Sequence, residues 1–250
     1  MNQKIKSNSA FDISDELVEN LAIRSTGMSL ASLDSVFELS LRMAIRNKKT
    51  TVTDSVLEDA FETFNSGEEN KWNPDTLLRV ARHEAGHAII CYESGEIPSY
   101  ITVVPRGDHG GYMQHSTDED KHIFTKNELL AKIRTALGGR AAEIVYYGKD
   151  DGISTGASGD LINATSMARH MVEVYGMDDS YGLTAILAQG EMTAETRIAV
   201  NKILVDEMNK AIEIIKANKK SVDALSKALV NKNHLSSDGI RKILKNNKNF

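Results

Sequence analysis

The sequence predicts a mainly α-helical protein of the α+β kind: a small helical bundle, then a larger helical unit carrying one small β-hairpin. Three observations carry that prediction. Only three prolines and 6% aromatic residues occur in 250 residues, so little interrupts a helix. Apolar residues recur at three-to-four spacing along most of the chain. The pattern changes to β-branched and aromatic residues in one place, "SYITVVPR", bounded by Pro98 and Pro105.

Hydrophobic residues make up 41% of the chain, enough for a real core, and the formal charge of −5 argues against nucleic acid as the main partner. A single cysteine, Cys91, excludes an internal disulfide framework and suits a reducing compartment. No run of about 18 apolar residues is present to span a membrane. The opening "MNQKIKSNSA" lacks the apolar core of a signal peptide. These features lead us to expect a soluble, cytoplasmic chain, which can still reach a membrane through a missing N-terminal part or its partners.

The first helix spans residues 14–24, with Leu17, Val18, Leu21 and Ile23 as its apolar positions and Gly27 as its stop. The second spans 29–47, with Leu33, Val36, Phe37, Leu41 and Ala44 on one face. The third spans 53–64, capped by Thr53, with Val56, Leu57, Ala60, Phe61 and Phe64 turned inward. The polar connector "NSGEENKWN" marks a boundary, giving units at residues 1–66 and 67–250. Asn73-Pro74 caps and opens a helix that Gly95 ends. After the strand come a turn, "GDHGG", and a returning strand, "YMQHS". One helix is expected over 126–145 with Gly138-Gly139 inside it, and another over 158–175. A long helix follows with Val205, Met208, Ile212 and Ile215 as its stripe, then a shorter one with Val222, Leu225 and Leu229. A final helix carries Ile240, Ile243 and Leu244.

Within the fourth helix stands "RHEAGHAI", residues 82–89. His83 and His87 are one turn apart, within about 40° of each other around the axis and roughly 6 Å along it. Glu84 leaves the helix in the same arc. Burying three such groups unpartnered is costly. A divalent cation between the imidazoles removes most of that cost. His-Glu-x-x-His on a helix is a zinc signature: the imidazoles bind the metal and the glutamate acts as general base toward water. Gly86 costs about 1 kcal/mol against alanine in a helix centre. Close approach of another element to the backbone would explain it. A catalytic zinc needs a third protein ligand. Glu143, His109, His115 and Asp160 could each serve, and spacing does not choose among them.

"RHEAGHAI", "TVVPRG", "GGRAAE" and "STGASGDLINAT", in this order and spacing, closely resemble the peptidase domain of the FtsH family, the hexameric ATP-dependent zinc proteases. Residues 200–230 resemble that domain's long terminal helices, and residues 21–61 are similar to the helical lid of the family's AAA module. The resemblance implies a zincin-like helical peptidase domain preceded by an AAA-lid-like bundle, with one Zn²⁺ per chain. It makes His83, His87 and Asp160 the metal ligands and Glu84 the general base. It also implies an edge strand beside the cleft, so that Ile101, Thr102, Val103 and Val104 bind extended protein substrate by strand addition.

Two departures qualify the resemblance. No G-x-x-x-x-G-K-[ST] occurs, since Gly148-Lys149 is followed by Asp150. ATP therefore enters only through a missing or partner AAA core. The lid turn reads "GMSLASL", with Leu30 and Ser32 where the family has glycine and aspartate. The expected function is zinc-dependent endoproteolysis of unfolded or extended protein, in a homo-hexamer or in assembly with an AAA ATPase. The alternative is a regulatory subunit of such hexamers without a motor. Cys91 is expected in the core, His170 on a surface or helix contact, and "RKILKNNKNF" in solvent. Gly138-Gly139 is expected to permit close helix approach, with Arg140 anchoring a carboxylate such as Glu143.

Overall fold

The computed structural model describes residues 9–67, 72–106, 110–115, 123–186 and 190–247. The first unit contains β1 (Phe11–Asp12), α1 (Asp15–Arg24), α2 (Leu30–Arg46), β2 (Val52–Thr53) and α3 (Asp54–Ser66). Ser14 caps α1 by accepting from the Leu17 amide at 3.2 Å, and Ser29 caps α2 through the Ser32 amide at 3.1 Å. Thr53 occupies the cap position of α3, but its side chain does not cap the helix. The next residue, Asp54, instead accepts from the Ser14 amide (2.8 Å) and hydroxyl (2.6 Å), tying the start of α3 to that of α1. The bundle core is Val18, Leu21, Val36, Phe37, Val56, Leu57 and Phe61 with their neighbours. Two expected core residues lie outside it: Ile23 is 50% and Phe64 41% exposed. Arg24, beside Ile23, is buried instead.

The second unit is organised around α4 (Pro74–Glu93), whose Asn73 cap accepts from the Thr76 amide at 2.8 Å. Residues His83 through Cys91 of this helix are all buried. Around it lie β3 (Pro98–Thr102), β4 (Tyr112–His115), α5 (Lys126–Ala136), α6 (Gly138–Tyr147) and α7 (Ser158–Glu173). The chain continues through α8 (Ala194–Ala217), α9 (Lys219–Lys232), β5 (His234–Ser236) and α10 (Ser237–Asn247). Helices α5, α6, α8 and α9 and strands β3 and β4 all touch α4. One apolar cluster joins Ile89 and Ile90 to Ile101, Ile215, Leu225 and Leu229.

The helix expected over 126–145 is two helices meeting at Leu137. The break lies where α6 crosses α4 backbone to backbone. A Cβ on Gly86 would sit 2.4 Å from the Gly138 carbonyl oxygen, and one on Gly138 would sit 2.9 Å from the Gly86 oxygen. The start of α5 carries a full capping box between Thr125 and Glu128. On α8 the expected stripe is displaced: Val205 is 48% exposed, and Ala199, Ile203, Glu207, Ala211 and Ile215 are buried. Glu207 is neutralised there by Arg134 and Lys210, each at 2.7 Å.

The second sheet has strand order β4-β3-β5, antiparallel throughout. Strand β5 has no counterpart in the sequence reading; it follows Asn233, which closes α9 in the left-handed region at φ 66°. Its presence corrects the edge-strand expectation. Thr102 pairs with Tyr112 on one side and His234 on the other, so residues 98–102 form the central strand. Ile101, Thr102 and Val103 are buried, and the Val103 amide donates to the Asn233 oxygen at 2.9 Å. Their backbone groups are committed to neighbours and cannot pair an added chain. Among the described residues, the edges of this sheet are β4 on one side and β5 on the other. No described helix is long and apolar enough to cross a membrane.

Two measurements check this packing. Gly86→Ala gains about 1 kcal/mol of helix propensity. It also forces a methyl into the Gly138 carbonyl at a cost of about 1–3 kcal/mol, so denaturant unfolding should show a net loss of up to about 2 kcal/mol. Cys91 is 1% exposed. Burial, with the Glu96 charge adding and Lys132 opposing, pushes its thiol up to about 12. A disulfide exchange reagent at neutral pH should therefore leave it unlabelled in the native chain and titrate one thiol after unfolding.

Candidate metal centre

His83 and His87 project from α4 into the interior, with ring centroids 4.9 Å apart and both residues buried. Their outer nitrogens are spoken for. The His87 Nδ1 lies 2.7 Å from the Thr135 carbonyl oxygen. A carbonyl only accepts, so Nδ1 carries the proton and Nε2 presents its lone pair. The His83 Nδ1 lies 3.1 Å from Glu143 Oε1. Glu143 is itself held by the Ser154 hydroxyl at 2.6 Å, the Ser154 amide at 3.2 Å and an ion pair to Arg140 at 3.6 Å. Such carboxylate and carbonyl partners fix the ring orientation of ligating histidines.

The third group arrives from α7. Ser154 accepts from the Gly156 amide at 3.2 Å, shaping the turn Thr155–Ala157 that delivers Asp160 into the first turn of the helix. Asp160 Oδ2 stands 3.1 Å from His83 Nε2 and 3.3 Å from His87 Nε2. Ligand atoms of the three residues all fall within 4.8 Å of one another. Tetrahedral zinc with bonds of about 2.0–2.1 Å separates its ligand atoms by about 3.3 Å. Two imidazole nitrogens and a carboxylate at these spacings fit one zinc ion.

Gly139 makes room for this arrangement. A Cβ there would lie 2.2 Å from His83 Nε2, inside the ring's own space. Glu84 is buried beside the ligands, and its Oε1 would stand 3.2 Å from a Cβ on Gly111, at the entrance to β4. Together Glu84, His87, Asp160, Met113, Lys132 and Met167 line a cavity of about 680 Å³.

The site's electrostatics divide its carboxylates. Burial raises Glu84, with the charges of His83 and His87 opposing. Burial also raises Asp160, but hydrogen bonds to His83 and His87 and the charges of both rings together outweigh it and hold it well below the usual carboxylate range. Burial alone would lower His83. Its hydrogen bonds to Asp160 and Glu143, with the Glu84 charge, override that and raise it to about 10.

The structure brings His83, Glu84, His87 and Asp160 together. It turns Glu143, an alternative third ligand by spacing, to the outer face of His83. His109 lies outside the described residues, as does the side chain of His115. His170 packs on its own helix through the Ser166 carbonyl at 2.8 Å. Sequence reasoning missed Thr135 and Ser154 as supports, and Gly111, Tyr112 and Met113 as cleft wall. Only the glycine pair before Tyr112 hinted at a close approach there.

Residues 73–243 match the profile of peptidase family M41. The chain is 32% identical over 250 residues to the ATP-dependent zinc metalloprotease FtsH of Mycoplasma mobile, covering 91% of this chain and 35% of that protein. The protein of the same name from Aquifex aeolicus is 38% identical over 174 residues, 68% of this chain and 27% of its own length. The ATP-dependent zinc metalloprotease YME1 homolog of Schizosaccharomyces pombe is 31% identical over 240 residues, 92% of this chain and 34% of its own. The chain spans about a third of the length of these relatives. With its profile match covering most of the sequence, the chain belongs to peptidase family M41.

Proposed function

We propose that this chain is the peptidase portion of an FtsH-type zinc metalloprotease, hydrolysing peptide bonds in unfolded or extended protein. The observation that carries this is the convergence of His83 Nε2, His87 Nε2 and Asp160 Oδ2 beside the buried carboxylate of Glu84. Zinc at this point supplies Lewis-acid polarisation of a carbonyl and an acidified water. The chain's residues do the rest. Glu143 and the Thr135 carbonyl hold both imidazoles as Nδ1–H tautomers, keeping Nε2 available. Glu84 takes the proton from the attacking water and passes it to the leaving amine, and its burial strengthens it as a base.

The free edge of β4 passes Glu84 at Gly111, which makes it the place for an extended substrate backbone. Residues 1–66 form the lid-like unit and 67–250 the peptidase unit; the profile's start at residue 73 supports that division. In this reading ATP acts through a AAA core outside these residues or on a partner, in a hexameric assembly.

Glu84→Gln should retain one zinc per chain and lose hydrolysis of an unfolded casein by about 10²–10⁴-fold. Zinc-replete wild type that cleaves nothing, with or without ATP and an AAA partner, would move the chain to the regulatory reading. Chelator competition separates the two roles of the surrounding carboxylates. Asp160→Ala should abolish stoichiometric zinc. Glu143→Gln should keep the metal at an affinity about 10–100-fold lower.

A further inference from the structure

The first unit reaches the wall of the cleft through a buried polar network. Arg24, at the end of α1, has a side chain with no exposed surface. Its guanidinium stands 3.5 Å from the ring centre of Tyr100 on β3 and 5.0 Å from that of Phe61 on α3. It pairs with Glu62, also on α3, and with Glu58 at 3.2 Å. Glu62 in turn accepts from the Tyr112 hydroxyl, at 2.9 Å to one oxygen and 3.0 Å to the other. The Gln114 side-chain amide donates to the backbone oxygen of Arg24 at 3.3 Å.

Tyr112 and Gln114 share one face of β4 because strand side chains alternate. The residue between them, Met113, packs on the other side against the cluster around α4. Strand β4 has four residues and one described strand neighbour, β3. A ladder that short, paired on one side, is weak by itself. Among the described residues, the Trp72 indole holds the Gly110 oxygen before the strand and the Ser99 hydroxyl the Gln114 oxygen, each at 3.1 Å, while α4 lies beneath Met113 and the first unit above Tyr112 and Gln114. The residue before Tyr112 is Gly111, the point at which Glu84 meets this strand.

We propose that Glu62 and Arg24 are positioning residues for the cleft: they hold β4 through Tyr112 and Gln114, so the seating of the N-terminal unit sets the edge on which substrate lies. The link to substrate rests on the peptidase reading above; the link to β4 does not. Neither Glu62 nor Arg24 belongs to the metal centre. Removing their hold should therefore loosen the strand and weaken substrate engagement while the zinc ligands stay in place.

The test uses the zinc-loaded 250-residue chain as wild type, Glu62→Leu, Tyr112→Phe, their double variant and Glu62→Gln. Hydrogen exchange of the β4 segment should be at least about tenfold faster in both single variants, with α4 unchanged. KM for an unstructured fluorogenic peptide should rise about three- to tenfold while kcat stays within about twofold and zinc remains at one per chain. If Glu62 acts through the Tyr112 hydroxyl, the double variant should be no worse than the poorer single. Glu62→Gln, which keeps an acceptor for that hydroxyl, should recover most of the protection. Unchanged β4 exchange, effects that multiply in the double variant, or loss of zinc in either single would overturn the proposal. If wild type binds zinc but cleaves no peptide, the peptidase reading fails, and the exchange data alone still decide whether β4 is held from the first unit.

Discussion

The metal centre depends on how closely two helices can cross. Helix α6 lies against α4 with Gly138 on Gly86, and neither position tolerates a Cβ without moving backbone. One residue later, the space a side chain at Gly139 would need is filled by the His83 ring. One further turn along α6, Glu143 reaches the other nitrogen of that ring. The crossing therefore sets the depth of the imidazole and also the partner that orients it. Loss of close approach here would separate His83 from Glu143 even with every ligand present.

A second constraint is electrostatic. Three carboxylates, Glu84, Glu143 and Asp160, surround two imidazoles in a largely buried space. Anions packed this way need compensating positive charge. The two imidazoles lie among them, with His83 raised and Asp160 lowered by their mutual hydrogen bond. The carboxylates diverge because their partners differ. Burial raises both Asp160 and Glu84; for Asp160 the hydrogen bonds and charges of both rings together outweigh it, whereas for Glu84 the charges of His83 and His87 do not. Neighbouring acids with opposite shifts are thereby set apart in their affinity for a proton.

Most helices were legible because their apolar period is strong, and the histidine pair was legible because its spacing is itself a geometry. The misses share one cause: they were decided by partners far along the chain. Gly138-Gly139 weakens the helix beside Leu137 but does not fix a break; the break falls at the crossing with α4. Strand β5 is three residues long, too short to show a period. For Ile101–Thr102–Val103–Val104 the family resemblance implies an edge, although a nearly continuous apolar run better fits a strand covered on both sides. Ile23 and Arg24 exchange their expected places because Glu58, Glu62 and Tyr100 form a socket for a guanidinium. Asp160 lies 77 residues from His83, and spacing alone left it level with Glu143 until the family resemblance separated them.

The placement of β5 bears on how the polypeptide reaches its working form. The middle strand of the sheet is closed by Asn233 and β5, and Thr102 is 131 residues from Asn233. Helices α9 and α10 add Val222, Leu225, Leu229, Ile240 and Leu244 to the apolar cluster that surrounds the histidine helix. During synthesis, then, His83, His87 and Asp160 emerge long before the scaffold that buries them can close. A nascent chain exposes those groups without an organised groove until the downstream helices have been made.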